Sequence, residues 1–212
     1  ADGAVTGNTR RYGASLEKIK KVIEPRSGEI MFGLNMIVNK GKTVFVADTS
    51  VHEYPSSEQL AEIAVSSARV VRLFGFDPKV AFVSHSTFGQ PLTSRTKHIK
   101  NAVNILKEKN VDFKFDGDMQ PDVALNDMYK ELYPFSNIVG NANILIMPGQ
   151  HSAAISYKMM RELGGAKVIG PLLVGLAEPI EIAPLRSSTS DILNLASVAA
   201  YSASVINYDK KN

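Results

Sequence analysis

Hydrophobic residues along the chain alternate between two spacings, one typical of strands and one typical of helices. Residues 31–38 and 43–47 are two runs rich in strand-forming side chains, joined by the turn-like segment Asn-Lys-Gly-Lys, which predicts a hairpin. From 57 to 74 the apolar side chains instead recur every three or four residues and Gly75 follows, which predicts an amphipathic helix. The pattern therefore places a hairpin directly before a helix.

The alternation of strands and helices continues towards the end of the chain. Further strands are predicted at 80–84, 113–116 and 143–147, with helices at 96–109, 122–132, 152–163 and 192–205. Short connections between such elements predict an α/β fold of three layers, in which a mainly parallel sheet lies between two layers of helices. Ligands in these folds bind beyond the carboxyl ends of the strands, where the sequence has three polar loops, at 6–11, 84–95 and 182–191.

Composition narrows the class of protein without identifying a function. The 212 residues, 44% of them hydrophobic, can fill one large domain or two small lobes. No apolar run approaches the ~20 residues that cross a bilayer, and there is no cysteine and no secretory leader pattern, so we expect a cytoplasmic protein without a membrane partner. The net charge of +3 is spread along the chain, which argues against nucleic acid as a partner. The four histidines lack the spacing of a metal site, and no metal is expected.

The loop after the predicted strand 80–84 has a composition suited to an anion. Ser84, Ser86, Thr87 and Gly89 offer hydroxyls and accessible backbone N–H groups to a phosphate or acyl oxygen. Serine and threonine at such a place also serve simply to turn the chain and cap the next helix. Both interpretations remain open at this point.

The loop near the start of the chain is a second candidate. Thr6, Gly7, Asn8 and Arg10 combine small polar groups with a guanidinium that could bind phosphate or pyrophosphate. Adjacent arginines such as Arg10 and its neighbour are more often solvated surface than a site.

Several segments together resemble the C-terminal phosphotransacetylase-like domain of bacterial multidomain malic enzymes. They are ADGAVTGNTRR at the start, KTVFVADTSVHE from 42, VAFVSHSTFGQP from 80, and the run 133–201. The resemblance implies the two-lobe architecture of the isocitrate and isopropylmalate dehydrogenases, with the N-terminal lobe partly missing. It divides the chain into a remainder of the first lobe (1–27), a middle α/β lobe (28–172) and a C-terminal segment that returns to the first lobe (173–212). It also implies a dimer or higher homo-oligomer.

The loop 182–191 decides what the resemblance implies about catalysis. Active members of the family have a serine–arginine pair before the last helix and an aspartate a little further on; the serine and aspartate act on the coenzyme A thiol and the arginine holds phosphate. With Asp191 aligned to that aspartate, Pro184 and Leu185 fall on the pair, and neither can share a proton or bind an anion. Arg186 could replace the arginine only if the loop were shifted, and Asp191 also fits a capping box for the final helix.

The resemblance thus implies a domain that binds acetyl-CoA or a related acyl-CoA, regulates and assembles a malic enzyme, and has no catalytic residue beyond the family match at Asp191. One alternative is an active phosphate acetyltransferase, which converts acetyl-CoA and phosphate into acetyl phosphate and coenzyme A. Another is an assembly module without a ligand. NAD(P) and Mg²⁺ or Mn²⁺ would belong to the malate-oxidising part of the same polypeptide, and no cofactor is expected in this domain.

Overall fold

The computed structural model describes residues 1–209, and strands and helices alternate along them. The strands are β1 (Ala4–Gly7), β2 (Phe32–Asn39), β3 (Lys42–Ala47), β4 (Lys79–Val83), β5 (Lys114–Met119), β6 (Ile144–Ile146), β7 (Lys167–Val174) and β8 (Ile180–Ala183). The α-helices are α1 (Tyr12–Ile19), α2 (Ser57–Leu73), α3 (Ser94–Lys109), α4 (Pro121–Leu125), α5 (Gln150–Gly164) and α6 (Thr189–Asp209). Within these residues, no helix combines the length and apolar character needed to cross a membrane.

Six strands form one sheet in the order β5-β4-β6-β3-β2-β7. The strands from β5 to β3 are parallel, whereas β2 is antiparallel to both of its neighbours. The predicted hairpin is confirmed, because β2 and β3 pair around Lys40 and Gly41, whose φ angles of 49° and 77° give a tight turn. The predicted α/β fold with a mainly parallel sheet is likewise confirmed.

Apolar side chains on both faces of the sheet explain why helices cover it on two sides. In β6, Ile144 and Ile146 lie in the core formed with α2 and α3, whereas the intervening Leu145 lies in the core formed with α4 and α5. All three side chains are buried, as in parallel sheets that have helices on both faces. One core lies on each face of the sheet, between the sheet and a layer of helices, which gives the three predicted layers.

A second sheet consists of only β1 and β8, which pair in parallel with Ala4–Gly7 opposite Ile180–Ala183. The strands approach closely at Gly7, where φ is +106° and a Cβ atom would lie 2.3 Å from the Ala183 carbonyl oxygen. The pairing joins the two segments that the sequence assigns to the first lobe, while β7 crosses the boundary placed at 172. The division into lobes stays a prediction.

The single helix predicted at 122–132 is wrong. Helix α4 ends at Leu125, Asn126 is extended with φ −133° and ψ 118°, and a separate 3₁₀ helix spans Asp127–Leu132. The Asn126 side-chain oxygen accepts a hydrogen bond from the Met128 N–H at 3.1 Å. This local bond offers the backbone an alternative to a continuous helix, which periodicity does not reveal.

Candidate ligand-binding site

A cleft of about 590 Å³ opens between two groups of elements. One side consists of α1 and the loop that joins β8 to α6, and the other consists of α5, β7 and the loop after β3. Because the loop after β3 lies at the carboxyl end of a parallel strand, the cleft occupies part of the edge where ligands bind in α/β folds.

Cationic side chains dominate the charge of this cleft. Lys158 and Arg161 come from α5, Lys167 begins β7, and Arg186 comes from the loop before α6. Asp191 is the one acidic residue among the described lining residues. Among the residues that the structure describes, no carboxylate lies within ion-pair distance of Lys158, Lys167 or Arg186, whereas Arg161 Nε lies 2.7 Å from Glu162. The cleft is thus suited to a ligand with several negative charges.

Hydroxyl groups form another part of the lining. The Ser50 hydroxyl donates to the Tyr12 phenol oxygen at 3.3 Å, and Tyr157 and Thr49 lie nearby in the same cleft. Burial raises the pKa of Tyr12 well above its ordinary value, against a smaller opposing effect of the Ser50 hydrogen bond. Burial also raises the pKa of Tyr157, so both phenols are neutral at physiological pH.

The loop predicted to decide catalysis borders the cleft with Pro184, Leu185 and Arg186. Its shape is held from two sides, because the Ser187 hydroxyl donates to the Pro184 carbonyl at 2.8 Å and the Arg186 N–H donates to the Asn8 carbonyl at 3.3 Å. Arg186 has a φ of +63°, a conformation unusual for a residue with a side chain. Pro184 and Leu185 contribute no acid, base or anion-binding group here.

Asp191 lines the cleft and also lies in the first turn of helix α6. One of its carboxylate oxygens accepts hydrogen bonds from the Ser188 N–H at 2.9 Å and from the Ser188 hydroxyl at 2.8 Å. The Ser188 oxygen in turn accepts from the Asp191 N–H at 3.2 Å, which completes a reciprocal cap. The carboxylate is therefore engaged in stabilising the helix start.

The first predicted loop contacts the third but does not line the cleft. Asn8, with φ +64°, donates its N–H to the Ala183 carbonyl at 2.9 Å, and Arg10 is exposed. The Asn8 side-chain oxygen is buried without a donor among the described residues. The predicted ligand role of Thr6, Gly7, Asn8 and Arg10 stays a prediction.

The second predicted loop lies outside the cleft and bonds mainly to residues at the end of β5 and just after it. The buried Asp118 carboxylate accepts from the Ser86 hydroxyl and from the Gly89 N–H, the latter at 3.0 Å. Ser84 accepts from the Ser86 N–H at 3.3 Å, and the Thr87 hydroxyl accepts from the Gln120 N–H at 3.3 Å. These bonds account for the hydroxyls structurally, and a ligand role for Ser84, Ser86, Thr87 and Gly89 stays a prediction.

Sequence reasoning missed most of the polar residues that line the cleft. Lys158 and Arg161 lie three residues apart on α5, a spacing that places them on one helix face and that the sequence does contain. Tyr12, Tyr157 and Lys167 carry no comparable signal, because only the fold brings them together. In the described residues, no group of three or more His, Cys, Asp or Glu side chains is arranged to hold a metal ion.

Comparison with known families gives a match over most of the chain. The model of the phosphate acetyl/butaryl transferase family matches residues 1–200. A phosphotransacetylase from Streptococcus pyogenes superposes with a TM-score of 0.89 at 30% sequence identity, covering 96% of this chain and 63% of that one.

Two kinds of relatives are similar to this chain over almost its whole length. The NADP-dependent malic enzyme of Rhizobium meliloti is 48% identical over 203 residues, which are 96% of this chain and 27% of that enzyme. The phosphate acetyltransferase of Bacillus subtilis is 32% identical over 205 residues, which are 96% of this chain and 64% of that protein. The chain thus spans about a quarter of the malic enzyme and about two thirds of the acetyltransferase.

Proposed function

The chain belongs to the phosphate acetyl/butaryl transferase family, and on that premise we propose that it is an acyl-CoA-binding domain without transferase activity. One observation carries the proposal: the cleft keeps several cationic side chains while Pro184 and Leu185 border it where the resemblance implies a catalytic serine and arginine. A binding site is retained without the groups that would do the chemistry.

The cations support a coenzyme A ester as the ligand. Coenzyme A carries a pyrophosphate and a ribose phosphate, and guanidinium and ammonium groups are the side chains that bind such oxyanions. A cleft of about 590 Å³ is within the ~300–1,000 Å³ typical of small-molecule sites. Lys158, Arg161, Lys167 and Arg186 would bind phosphate groups, and the acyl end would lie among the neutral hydroxyls.

Loss of the transferase activity follows from what the reaction requires. A phosphate oxygen must attack the thioester carbonyl, and the departing sulfur must be stabilised or protonated. Position 184 has no hydroxyl for this purpose, and the Asp191 carboxylate is occupied by the cap of α6. The remaining cations can bind phosphate without moving a proton.

The malic-enzyme relatives suggest the setting of this domain. We propose that it belongs to a cytoplasmic malic enzyme that oxidises malate to pyruvate, and that it assembles the enzyme as a dimer or larger homo-oligomer and regulates it. Acyl-CoA would change the activity of the malate-oxidising part by binding one arrangement of the assembly more tightly than another. NAD(P) and the divalent ion would bind to that other part.

Calorimetric titration of acetyl-CoA, with phosphate present and thiol release followed in parallel, tests the proposal. We expect saturable binding without release of coenzyme A. The double variant Lys158→Gln, Arg161→Gln should bind at least about tenfold more weakly and with less dependence on salt, because each lost cation removes a charge-assisted bond. The matched control is Lys97→Gln, Lys100→Gln, which removes two exposed cations of α3 outside the cleft.

Two results would contradict this assignment in different ways. Steady thiol release would mean that the chain is an active phosphate acetyltransferase, the alternative supported by the Bacillus subtilis relative. No binding at all would leave the assembly role alone.

A further inference from the structure

Tyr157 lines the cleft next to one of its cationic side chains. Lys158 Nζ lies 5.8 Å from the centre of the Tyr157 ring, while the phenol itself lines the cleft. Because burial raises the pKa of this phenol, its O–H remains available as a neutral hydrogen-bond donor.

Asn35 lies directly beneath this part of the cleft. It occupies β2 with an exposed fraction of 0%, and its side-chain oxygen accepts from the Thr49 hydroxyl at 3.3 Å. It also packs against Gly170, where a Cβ atom would lie 2.8 Å from the same oxygen. Thr49 and Gly170 both line the cleft, so Asn35 forms the layer below its floor.

The amide nitrogen of Asn35 is unusual in having no acceptor. Among the described residues, no oxygen lies in hydrogen-bonding geometry with Nδ2, although the side chain is fully buried. The Tyr157 phenol belongs to the same cleft as Thr49 and Gly170, and its pKa is raised by burial and lowered to a smaller extent by Arg161 and by the Asn35 side chain. A buried donor without a partner is costly, so a small movement of Tyr157 that completes this bond is favourable.

We propose that Tyr157 donates its hydroxyl to the thioester carbonyl oxygen of the bound acyl-CoA, and that Asn35 is the positioning residue that donates to the phenol oxygen from below. This proposal rests on the acyl-CoA-binding function proposed above. The chain of bonds runs from the Asn35 amide to the Tyr157 oxygen and from the Tyr157 hydroxyl to the ligand, and each bond polarises the next. The cations recognise phosphates, which free coenzyme A also carries, whereas Tyr157 recognises the acyl group that distinguishes the ester.

The test compares acetyl-CoA with S-ethyl-CoA, a thioether of the same length that lacks the carbonyl oxygen. We expect the unmodified chain to bind acetyl-CoA about fivefold more tightly, as one neutral hydrogen bond allows. Tyr157→Phe should remove this preference and leave the affinity for S-ethyl-CoA within about twofold, since only the hydroxyl is lost. Tyr201→Phe is the matched control, because its hydroxyl bonds to the Leu73 carbonyl away from the cleft.

Asn35→Leu tests the positioning role separately. It should weaken acetyl-CoA binding without affecting S-ethyl-CoA, and it should have no further effect in the Tyr157→Phe background, because both changes break the same chain of bonds. Thermal unfolding of each variant identifies any that fails to fold, and the Tyr157→Phe comparison stands without Asn35→Leu.

Each outcome bears on the proposal in a distinct way. If acetyl-CoA and S-ethyl-CoA bind the unmodified chain equally, or if Tyr157→Phe weakens both to the same extent, the carbonyl is not recognised by Tyr157. The binding function would then stand and this inference would be wrong. If neither ligand binds, the proposed function fails and the inference fails with it.

Discussion

Glu181 on β8 is a buried carboxyl group whose protonation should control stability. Its exposed fraction is 4%, and it lines a mainly apolar cavity of about 370 Å³ between α2, β7 and α6. Burial raises the pKa of Glu181 to about 8, and the Leu173 N–H, which donates to its carboxylate at 2.9 Å, opposes this shift only in part. The folded chain therefore holds a proton here at neutral pH.

The direction of the pH dependence follows from proton binding. The unfolded chain releases this proton near the ordinary value of 4.5, whereas the folded chain keeps it to about 8, so the folded state binds more protons between these values. The contribution of Glu181 to the free energy of unfolding is fully present below pH 4.5 and declines as the pH rises from 4.5 to about 8. At about 1.4 kcal/mol per pH unit, roughly 3 kcal/mol is lost between pH 4.5 and pH 7.

Glu181→Gln isolates this effect, because the amide is neutral at every pH and its oxygen can still accept from the Leu173 N–H. The quantity of interest is the free energy of unfolding of the variant minus that of the unmodified chain. We expect this difference to increase by roughly 3 kcal/mol between pH 4.5 and pH 7. Urea unfolding of both proteins at half-unit pH steps measures the difference, in which other titrating groups cancel. The exposed Glu108→Gln is the control and should show no such trend.

A difference that stays constant with pH would refute the reasoning, because Glu181 would then titrate alike in the folded and unfolded chains. A difference of the opposite sign would show that the folded chain stabilises the carboxylate, and that burial is not the dominant influence.

Three further substitutions should alter stability for separate reasons. Asp118→Ala removes the buried acceptor that braces the loop after β4 and should cost roughly 3 kcal/mol in urea unfolding. Asp191→Ala removes the reciprocal cap with Ser188 and should cost about 1 kcal/mol, whereas Asp191→Asn should restore most of it. Gly175→Ala should lower the melting temperature most, because φ is +91° and the new Cβ would lie 2.0 Å from the Ile30 carbonyl oxygen.

Periodicity predicted most of the fold because the spacing of apolar residues in each element reflects which of its faces is buried. The hairpin β2–β3 has its turn residues between two strand-like runs, and α2 begins with a capping box between Ser56 and Gln59. Strands β7 and β8 were not predicted, since apolar runs of this length fit a strand or a helix equally well.

The candidate site was less predictable from the sequence. Arg186 and Asp191, which lie in the polar loop before the last helix, do line the cleft, and their ligand role stays a prediction. Tyr12, Ser50 and Tyr157 reach the same cleft from distant parts of the chain, and no local pattern marks them. The hydroxyls after β4 lie outside this cleft, where the Ser86 hydroxyl bonds to the buried Asp118 carboxylate, and their ligand role stays a prediction.

The pairing of β1 with β8 has a consequence for the order of folding. These strands come from opposite ends of the described chain, so their contact closes a very long loop and cannot gain from local structure alone. We expect the six-stranded sheet to form first and the β1–β8 ladder to form last. The loop that carries Arg186 is hydrogen-bonded to Asn8 and is then completed only in the final step. Ligand binding therefore requires that the whole chain has folded.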